Sequence, residues 1–307
     1  MHKTIRIGTR SSELALWQAN LVAKQLKDKG YTSEIIEINS KGDIVLDKPL
    51  YRLGVVGVFT RNLDIAMLNG EIDIAVHSLK DVPTDLPEGI VQAAVLERAN
   101  FNDILVLKNN TDFLSSDNAV IATGSLRRRA QWLNKYPSHT VEDLRGNVNT
   151  RLQKLKDNEW NGAIFAAAGL ERINLLPENH IVLDWMLPAP AQGAIMITAL
   201  EKDKEILAIC SKLNHQNTAI AVDMERQFLN TMEGGCTAPI AALATLGDNC
   251  VLFKGALFSL DGIHKLEFLE CIPFDEIENA GNRCAEKLLE NGGDVMMKEI
   301  KEAMNSH

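Results

Sequence analysis

The sequence predicts an α/β protein in which two related α/β domains form a cleft and a small α+β domain follows them. Strand-like and helical segments alternate over the first two thirds of the chain, as in layered α/β folds. Each half of this region contains a strand that ends in a Thr/Gly/Ser turn with an arginine beside a helix start. The last third contains three strand-like segments and then a helix. These three observations predict the fold class.

The first half of the α/β region has the order of βαβ units, which implies a parallel sheet. Gly30 and Gly70 are the expected helix ends, and Leu14, Trp17 and Leu21 are the expected apolar face of the first helix. The predicted elements are a strand at 4–8, a helix at 13–29, a strand at 34–39, a helix at 60–68 and a buried strand at 72–76.

The second half begins with strands at 103–107 and 120–123, and a turn at Gly124 leads into a helix that carries Arg127, Arg128 and Arg129. A further strand at 194–200 can return to the first domain, which gives the two-crossing hinge of periplasmic-binding-protein-like clamshells. The predicted domains are therefore a discontinuous first domain at 1–98 with 194–214, a second domain at 99–193 and a C-terminal domain at 215–307.

The C-terminal segment indicates a small α+β domain. Asp261 and Gly262 mark a hairpin between its last two strands. The predicted elements are helices at 202–213 and 218–231, strands at 240–246, 251–259 and 265–272, and a closing helix at 275–290.

Composition narrows the class of protein. The 307 residues carry a formal net charge of -9, which disfavours nucleic-acid and anionic-membrane partners, so any basic cluster would bind its anion locally. The longest apolar run, 163–170, is too short to span a bilayer, and the first residues contain no apolar signal core. Five cysteines without a CxxC pair or zinc-finger spacing favour reduced thiols. We expect a cytoplasmic protein.

One cysteine stands apart from the others. Cys236 lies in GGCTAP at 234–239, where the glycines and the proline predict a loop that displays the thiol. The loop alone leaves two interpretations open, an ordinary turn thiol or a functional sulfur. The other four cysteines lie in apolar or helical settings where a small hydrophobic residue would serve equally well: Cys210, Cys250, Cys271 and Cys284.

Arginines next to predicted turns and helix starts are candidate anion ligands, because backbone N–H groups and the helix dipole also favour anions there. A single one could be a solvated surface residue, but the set indicates a polyanion site. Helical spacing separates Arg127, Arg128 and Arg129, so at most two of these are expected to reach one site. The candidates are Arg10, Arg127, Arg128, Arg145, Arg151 and, more weakly, Arg172.

A buried strand runs out into His77, Ser78, Lys80 and Asp81 before Pro83. The carboxyl ends of parallel strands are where α/β proteins place their active sites. Asp81, next to cationic side chains, is expected to stay ionised and to stabilise a developing cation or accept a proton. The alternative is a strand-end aspartate that caps a turn. His77 is expected to be structural. Nucleotide P-loop, Rossmann, zincin and α/β-hydrolase motifs are absent, and no metal site is visible.

The chain resembles the porphobilinogen deaminase family from near its first residue to the C-terminal helix. Five segments carry the resemblance: IGTRSSELAL at 7–16, DIAVHSLKDVP at 73–83, TGSLRR at 123–128, LRGN at 144–147 with Thr150 and Arg151, and EGGCTAP at 233–239. The resemblance implies a transferase that joins four porphobilinogen molecules head to tail, releases ammonia and yields 1-hydroxymethylbilane. It also implies a dipyrromethane cofactor attached to Cys236 and a monomeric enzyme that binds porphobilinogen and the growing oligopyrrole chain.

Residue matching assigns the site. Asp81 is the implied catalytic residue. The implied cofactor ligands are Cys236, Lys80, Asp81, Ser125, Arg127, Arg128, Arg145 and Gly146. The implied substrate ligands are Arg10, Ser11, Arg145, Arg151, Arg172 and Gln192.

One loop departs from the family pattern. The family usually has Gly-Gly-Lys-Gly, whereas this chain has Val56 where the lysine is expected.

Two rival functions remain open. A ligand-binding clamshell without catalysis would share the two-domain pattern. A cysteine acyl- or alkyltransferase would need a histidine base near Cys236; no histidine flanks the loop, and His215 would have to be brought there by folding. A covalent adduct of two pyrrole rings would separate the three functions.

Overall fold

A computed structural model of the chain contains three β-sheets and describes residues 4–39, 57, 59–232 and 238–305. No helix in these ranges is both long and apolar enough to cross a membrane. The strands are β1 (Ile5–Thr9), β2 (Ser33–Glu37), β3 (Ile74–Ser78), β4 (Ile90–Val95), β5 (Asp103–Leu107), β6 (Val120–Ala122), β7 (Thr140–Glu142), β8 (Gly162–Ala166), β9 (His180–Val182), β10 (Ile195–Leu200), β11 (Ile240–Leu246), β12 (Cys250–Phe258) and β13 (Lys265–Pro273).

Helices cover the sheets, and small side chains allow close approach. On the first helix the buried residues are Ala15, Gln18, Ala19, Val22 and Leu26, offset from the predicted face, which is half-buried. The helices are α1 (Glu13–Asp28), α2 (Arg61–Leu68), α3 (Leu126–Lys135), α4 (Val148–Asp157), α5 (Ala167–Glu171), α6 (Lys204–Cys210), α7 (Gln216–Thr231), α8 (Ala280–Leu288) and α9 (Asp294–Asn305).

The first two sheets have the same architecture. Their strand orders are β2-β1-β3-β10-β4 and β7-β6-β8-β5-β9. In each sheet the first three strands are parallel, whereas β10 and β5 run antiparallel to both of their neighbours. The parallel sheet implied for the first βαβ series is therefore confirmed for β1, β2 and β3, and the sequence did not reveal the antiparallel direction of β10 and β5. These two strands adjoin the crossing segments, so they enter their sheets in the opposite direction. The predicted fold class is confirmed, while the domain boundaries stay a prediction.

The third sheet, β11-β12-β13, is antiparallel and packs against α7 and α8 around a core that includes Phe228 and Phe253. The predicted closing helix at 275–290 starts only at Ala280, and it is not the last helix. Gly292, with φ of 102°, interrupts the helical path after α8, and α9 follows as a separate helix. A positive φ is accessible to glycine at little cost, which explains why the break occurs there.

Cys250 and Cys271 form a disulfide between β12 and β13, with a Cα–Cα distance of 5.7 Å. The expectation of reduced thiols is wrong for this pair. Antiparallel register brings the two strands together, and no spacing signature in the sequence reveals it. Cys210 and Cys284 are buried free thiols, and Cys236 lies outside the described residues.

A buried ion pair joins the three domains at the hinge. Glu225 on α7 is fully buried and accepts hydrogen bonds from the Arg98 guanidinium at 2.6 and 3.1 Å. Its carboxylate also accepts from the backbone N–H of Ala191 at 2.6 Å and of Ala244 at 2.8 Å. Arg98 and Ala191 belong to the two segments that connect the α/β domains, whereas Ala244 lies on β11. One carboxylate therefore fixes the hinge to the C-terminal domain.

We expect Glu225→Ala to lower the free energy of unfolding by about 3–5 kcal/mol, because it leaves a buried guanidinium and two backbone N–H groups without their acceptor. Glu267→Ala is the matched control, since Glu267 pairs with Lys265 at an exposed site, and there the change should stay below about 1 kcal/mol. Urea denaturation of both variants measures the difference. Equal losses in the two variants would contradict the role of Glu225.

Candidate active site

A cleft of about 530 Å³ opens between the two α/β domains, and part of the C-terminal domain borders it. Residues that follow β1, β3, β6 and β8 line it, so it lies at the carboxyl ends of the strands in both sheets. Leu229, Ala238 and Ile240 contribute the border from the C-terminal domain. A volume of this size accommodates a small organic ligand.

Three of the helices that begin at the cleft have polar N-cap residues. Their N-cap residues Ser12, Ser125 and Asn147 all line it, and each side chain accepts a hydrogen bond from the first turn of its own helix. Short polar residues at these positions satisfy one backbone N–H each. The positive ends of α1, α3 and α4 are thereby directed towards the cleft, where they favour anions.

Arg127 and Arg128 share one buried partner. Asp103 Oδ2 accepts from Arg127 at 2.7 Å, and Oδ1 accepts two hydrogen bonds from Arg128 at 2.7 and 3.0 Å. Burial on its own raises the pKa of Asp103, but the two adjacent guanidinium groups outweigh this and hold it well below its usual range. The carboxylate is therefore ionised, and it holds both arginines at the floor of the cleft. Arg129 does not line the cleft.

The same network crosses to the first domain through Gln192. This fully buried side chain donates to Asp103 Oδ1 at 2.9 Å and accepts from Lys80 Nζ at 3.2 Å. Burial, reinforced by the positive charge of Arg128, lowers the pKa of Lys80 to about 8. Lys80 therefore remains mostly protonated at neutral pH, and an anion in the cleft would stabilise that form.

A tight turn positions Arg145 and Arg151 on the wall of the cleft that the second α/β domain forms. Gly146 has φ of 111°, and a Cβ there would approach Thr150 Cγ2 to 2.7 Å, so only glycine fits. Arg151 Nε donates to the Gly146 carbonyl at 2.7 Å. Burial, together with Arg128 and Arg145, lowers the pKa of Arg151 to about 10, which leaves it charged at neutral pH.

Arg10 and Ser11 follow β1 and line the cleft on the side of the first domain. The Arg10 guanidinium lies 4.2 Å from the centre of the Phe59 ring, a cation–π geometry that limits its rotation. Ser125 and Arg145 line the cleft on the side of the second domain. Five of the six candidate arginines therefore line the cleft, and they come from both walls.

Asp81 also lines the cleft, in the short turn Leu79–Asp81 that follows β3. Its carboxylate takes no hydrogen bond or salt bridge from the described part of the chain. Its charge interacts with Lys80 and Arg151. It is therefore available to a ligand in the cleft. Among the described residues, Glu13 is the only other acidic side chain lining the cleft, against six cationic ones.

His77 does not line the cleft itself but lines a smaller adjoining cavity of about 70 Å³, together with Ser78 and Asp81. Its Nε2 is 3.2 Å from Thr198 Oγ1, and only 6% of the residue is exposed. Burial and the nearby charge of Arg10 lower the pKa of His77 to about 4, so the ring is neutral at physiological pH. This geometry agrees with the structural role expected from the sequence.

Arg172 does not line the cleft. Its guanidinium donates to the Gly193 carbonyl at 2.7 Å and lies 5.6 Å from the centre of the Trp17 ring. Cys236 and Val56 lie outside the described residues. His215 caps the start of α7, bonded to Thr218, and the helix extends about 24 Å from it at 1.5 Å per residue. This position gives the cysteine-transferase hypothesis no base near the end of α7.

Sequence reasoning missed two polar groups of the site. Asp103 opens an entirely buried strand, and a charged residue in such a strand is the signal that could have indicated a buried ion pair. Gln18, buried on α1, donates to Ser78 Oγ at 2.8 Å at the edge of the cleft. Within the described ranges, no group of three or more His, Cys, Asp or Glu side chains could hold a metal ion.

Two family models match the sequence. The one described as porphobilinogen deaminase, dipyromethane cofactor binding domain, matches residues 5–208, and the one described as porphobilinogen deaminase, C-terminal domain, matches residues 219–290.

Curated relatives match over nearly the whole chain. A probable porphobilinogen deaminase of Methanocaldococcus jannaschii is 45% identical over 280 residues, covering 90% of this chain and 95% of the relative. The porphobilinogen deaminase of Bacillus subtilis is 39% identical over 314 residues and covers 99% of both chains. Among solved structures, a periplasmic substrate-binding protein of an ABC transporter from Coxiella burnetii is similar with a TM-score of 0.43 at 15% identity, over 68% of this chain and 92% of that one.

We expect the buried neutral His77 to make folding sensitive to acid. The His77 ring takes up a proton with a pKa of 6.5 in the unfolded chain and with a pKa of about 4 in the folded one. Because the unfolded state binds the proton first, the free energy of unfolding falls as pH decreases from 6.5 to 4. Between pH 6.5 and pH 4 the free energy of unfolding should fall by about 3 kcal/mol more in wild type than in His77→Gln. Denaturation at a series of pH values measures this. The exposed His264→Gln is the control and should follow wild type; parallel curves for His77→Gln and wild type would contradict the expectation.

Proposed function

The chain belongs to the porphobilinogen deaminase family, and we propose that the cleft between its two α/β domains is the site of the family's reaction. The protein is a transferase that joins four porphobilinogen molecules head to tail into 1-hydroxymethylbilane, with release of ammonia, and it uses a dipyrromethane cofactor. The observation that carries the proposed location is the convergence of six cationic side chains and Asp81 on one cleft in a chain of net charge -9.

The cleft suits a dipyrromethane. Each of its two rings carries an acetate and a propionate, so the group is a tetra-anion. Arg127 Nε and Arg145 Nε are buried without a hydrogen-bond partner in the described structure, and carboxylate oxygens would satisfy both. We assign cofactor binding to Lys80, Asp81, Ser125, Arg127, Arg128, Arg145 and Gly146, with covalent attachment at Cys236.

Chain connectivity supports Cys236 as the attachment point. Ala238 lines the cleft, and Cys236 precedes it by two residues, a distance that a chain spans in at most about 7 Å. Leu229, near the end of α7, lines the cleft on the other side of the same segment. A thioether formed there would hold the cofactor beside the arginines.

Substrate carboxylates would bind next to those of the cofactor. We assign this role to Arg10, Ser11, Arg145, Arg151, Arg172 and Gln192. Gln192 contributes indirectly, since its amide is already bonded to Lys80 and Asp103. Arg172 would have to leave the Gly193 carbonyl to reach the cleft.

Asp81 is the proposed catalytic residue. Loss of ammonia from porphobilinogen leaves a cationic methylenepyrrolenine, and a preorganised carboxylate in a shielded cleft stabilises that charge. The same carboxylate accepts a proton that the condensation releases. When bound, the cofactor supplies the nucleophilic pyrrole carbon. Lys80 and the arginines hold the carboxylates of the rings and so fix the rings against Asp81.

We further propose that the enzyme is a cytoplasmic monomer without nucleic-acid or membrane partners. The net charge of -9 supports the lack of polyanionic partners, and two buried free thiols suit a reducing compartment. The Cys250–Cys271 disulfide counts against such a compartment. Alkylation of thiols in intact cells, followed by mass spectrometry of the Cys250 and Cys271 peptides, tests the compartment: alkylated peptides would support a cytoplasmic location, and disulfide-linked peptides would contradict it. Sedimentation should give a mass near 33.9 kDa.

We expect Asp81→Asn to reduce turnover by about 10²–10³-fold while the protein stays folded and keeps its cofactor, because only the charge of the carboxylate is lost. Asp85→Asn is the matched control, since Asp85 is exposed on the same loop and does not line the cleft. Steady-state formation of hydroxymethylbilane measures the effect. Retention of more than about a tenth of wild-type turnover in Asp81→Asn would rule out its role.

Cys236→Ser should abolish cofactor attachment, because serine is a far weaker nucleophile than a thiolate. Intact-protein mass spectrometry should show two substrate-derived pyrrole rings on wild type and on Cys284→Ser, and none on Cys236→Ser. An unmodified wild type that cannot acquire the rings from porphobilinogen would overturn both the attachment and the assigned chemistry.

A further inference from the structure

One face of α7 packs against the turn that carries Asp81. Ala219 and Val222 share an apolar cluster with Leu79 and Val82, the residues that flank Lys80 and Asp81. Further along α7, Arg226 and Asn230 contact the same loop. The spacing of three or four residues between these positions places all of them on one side of the helix.

Arg226 holds the backbone that follows Asp81. Its guanidinium donates to three successive carbonyls: Val82 O at 3.0 Å, Pro83 O at 2.7 Å and Thr84 O at 3.2 Å. Thr84 Oγ1 then donates to Asn230 Oδ1 at 2.9 Å. A planar guanidinium is the side chain best suited to several carbonyls at once, and lysine has no equivalent geometry.

The same helix leads to the cofactor segment. Leu229, one turn beyond Arg226, lines the cleft, and α7 ends at Thr231. Cys236 follows five residues later in the chain. The helix that fixes the Asp81 loop therefore also sets the starting point of the segment to which the cofactor is attached. Arg226 itself does not line the cleft.

We propose that Arg226 is a positioning residue, which holds the Asp81 carboxylate in register with the pyrrole chain by clamping residues 82–84 to α7. The inference rests on the proposed role of Asp81. Since Arg226 does not line the cleft, its loss should leave substrate binding intact. It should slow the chemical step, because a displacement of a reacting group by about 1 Å costs on the order of 10²-fold in rate.

The test compares Arg226→Ala with Arg283→Ala in the holoenzyme. Arg283 is the matched control, because it also donates to two backbone carbonyls, those of Glu276 and Glu278, but lies in the C-terminal domain away from the cleft. Arg226→Ala should lower kcat by about 10–100-fold with KM changed less than about twofold. Intact mass should show a full complement of cofactor in both variants, and Arg283→Ala should keep the kcat of wild type.

Recovery of kcat on addition of guanidinium is a second measurement, and a general loss of fold stability would not produce it. Millimolar guanidinium should restore part of kcat in Arg226→Ala and leave wild type and Arg283→Ala unchanged, because only the first variant has a vacated cation site against the 82–84 carbonyls. Arg226→Lys keeps the charge with fewer aligned donors and should fall between wild type and Arg226→Ala. It also serves as the second variant if the alanine variant does not fold.

The inference fails if Arg226→Ala turns over as wild type, if its loss of rate arises from missing cofactor mass, or if KM rises while kcat is kept. These outcomes are distinct from failure of the proposed function. A fully active Asp81→Asn would overturn the function of Asp81 itself. A nearly inactive Asp81→Asn beside a normal Arg226→Ala would overturn only the positioning role.

Discussion

The buried carboxylate of Asp103 is the interaction on which the cleft depends. The guanidinium groups of Arg127 and Arg128 lie at the floor of the cleft with almost no contact with water, and the Asp103 carboxylate compensates the charge of both. Desolvating a charge without a partner costs several kcal/mol, so neither arginine could be held there alone. Through Gln192 the same carboxylate reaches Lys80 on the opposite domain. A single anion thus organises cationic groups from both walls before any ligand arrives.

Concentrating positive charge in this way has an energetic cost, because the buried cations repel one another and lose their hydration. Burial, reinforced by like charges, lowers the pKa of Lys80 to about 8 and that of Arg151 to about 10. Two buried arginine N–H groups remain without partners in the described structure. A polyanionic ligand relieves both costs, and ligands that bind only the folded state stabilise it. Binding of such a ligand would therefore add to the stability of the folded state.

Much of the fold could be predicted because local residues encode it. Apolar strand patterns predicted β5 and β11 with their observed bounds, and the turn at Gly124 predicted the helix that carries the arginines, which is α3. The strand-end position of Asp81 followed from the same pattern. Other features could not be predicted. The antiparallel direction of β10, the Cys250–Cys271 disulfide and the break before α9 depend on how distant segments meet or on a single glycine torsion.

The sequence by itself determined which side chains are available: a thiol next to two glycines, arginines at helix starts and an aspartate at a strand end. Only the tertiary structure decided which of them meet. Lys80 and Gln192 are 112 residues apart, and Arg226 reaches its carbonyl partners over more than 140 residues. Backbone preferences are set by neighbouring residues, whereas the partner of a buried charge is set by topology and desolvation. For that reason the sequence indicated the chemistry of the site, and the fold alone revealed the groups that hold it in place.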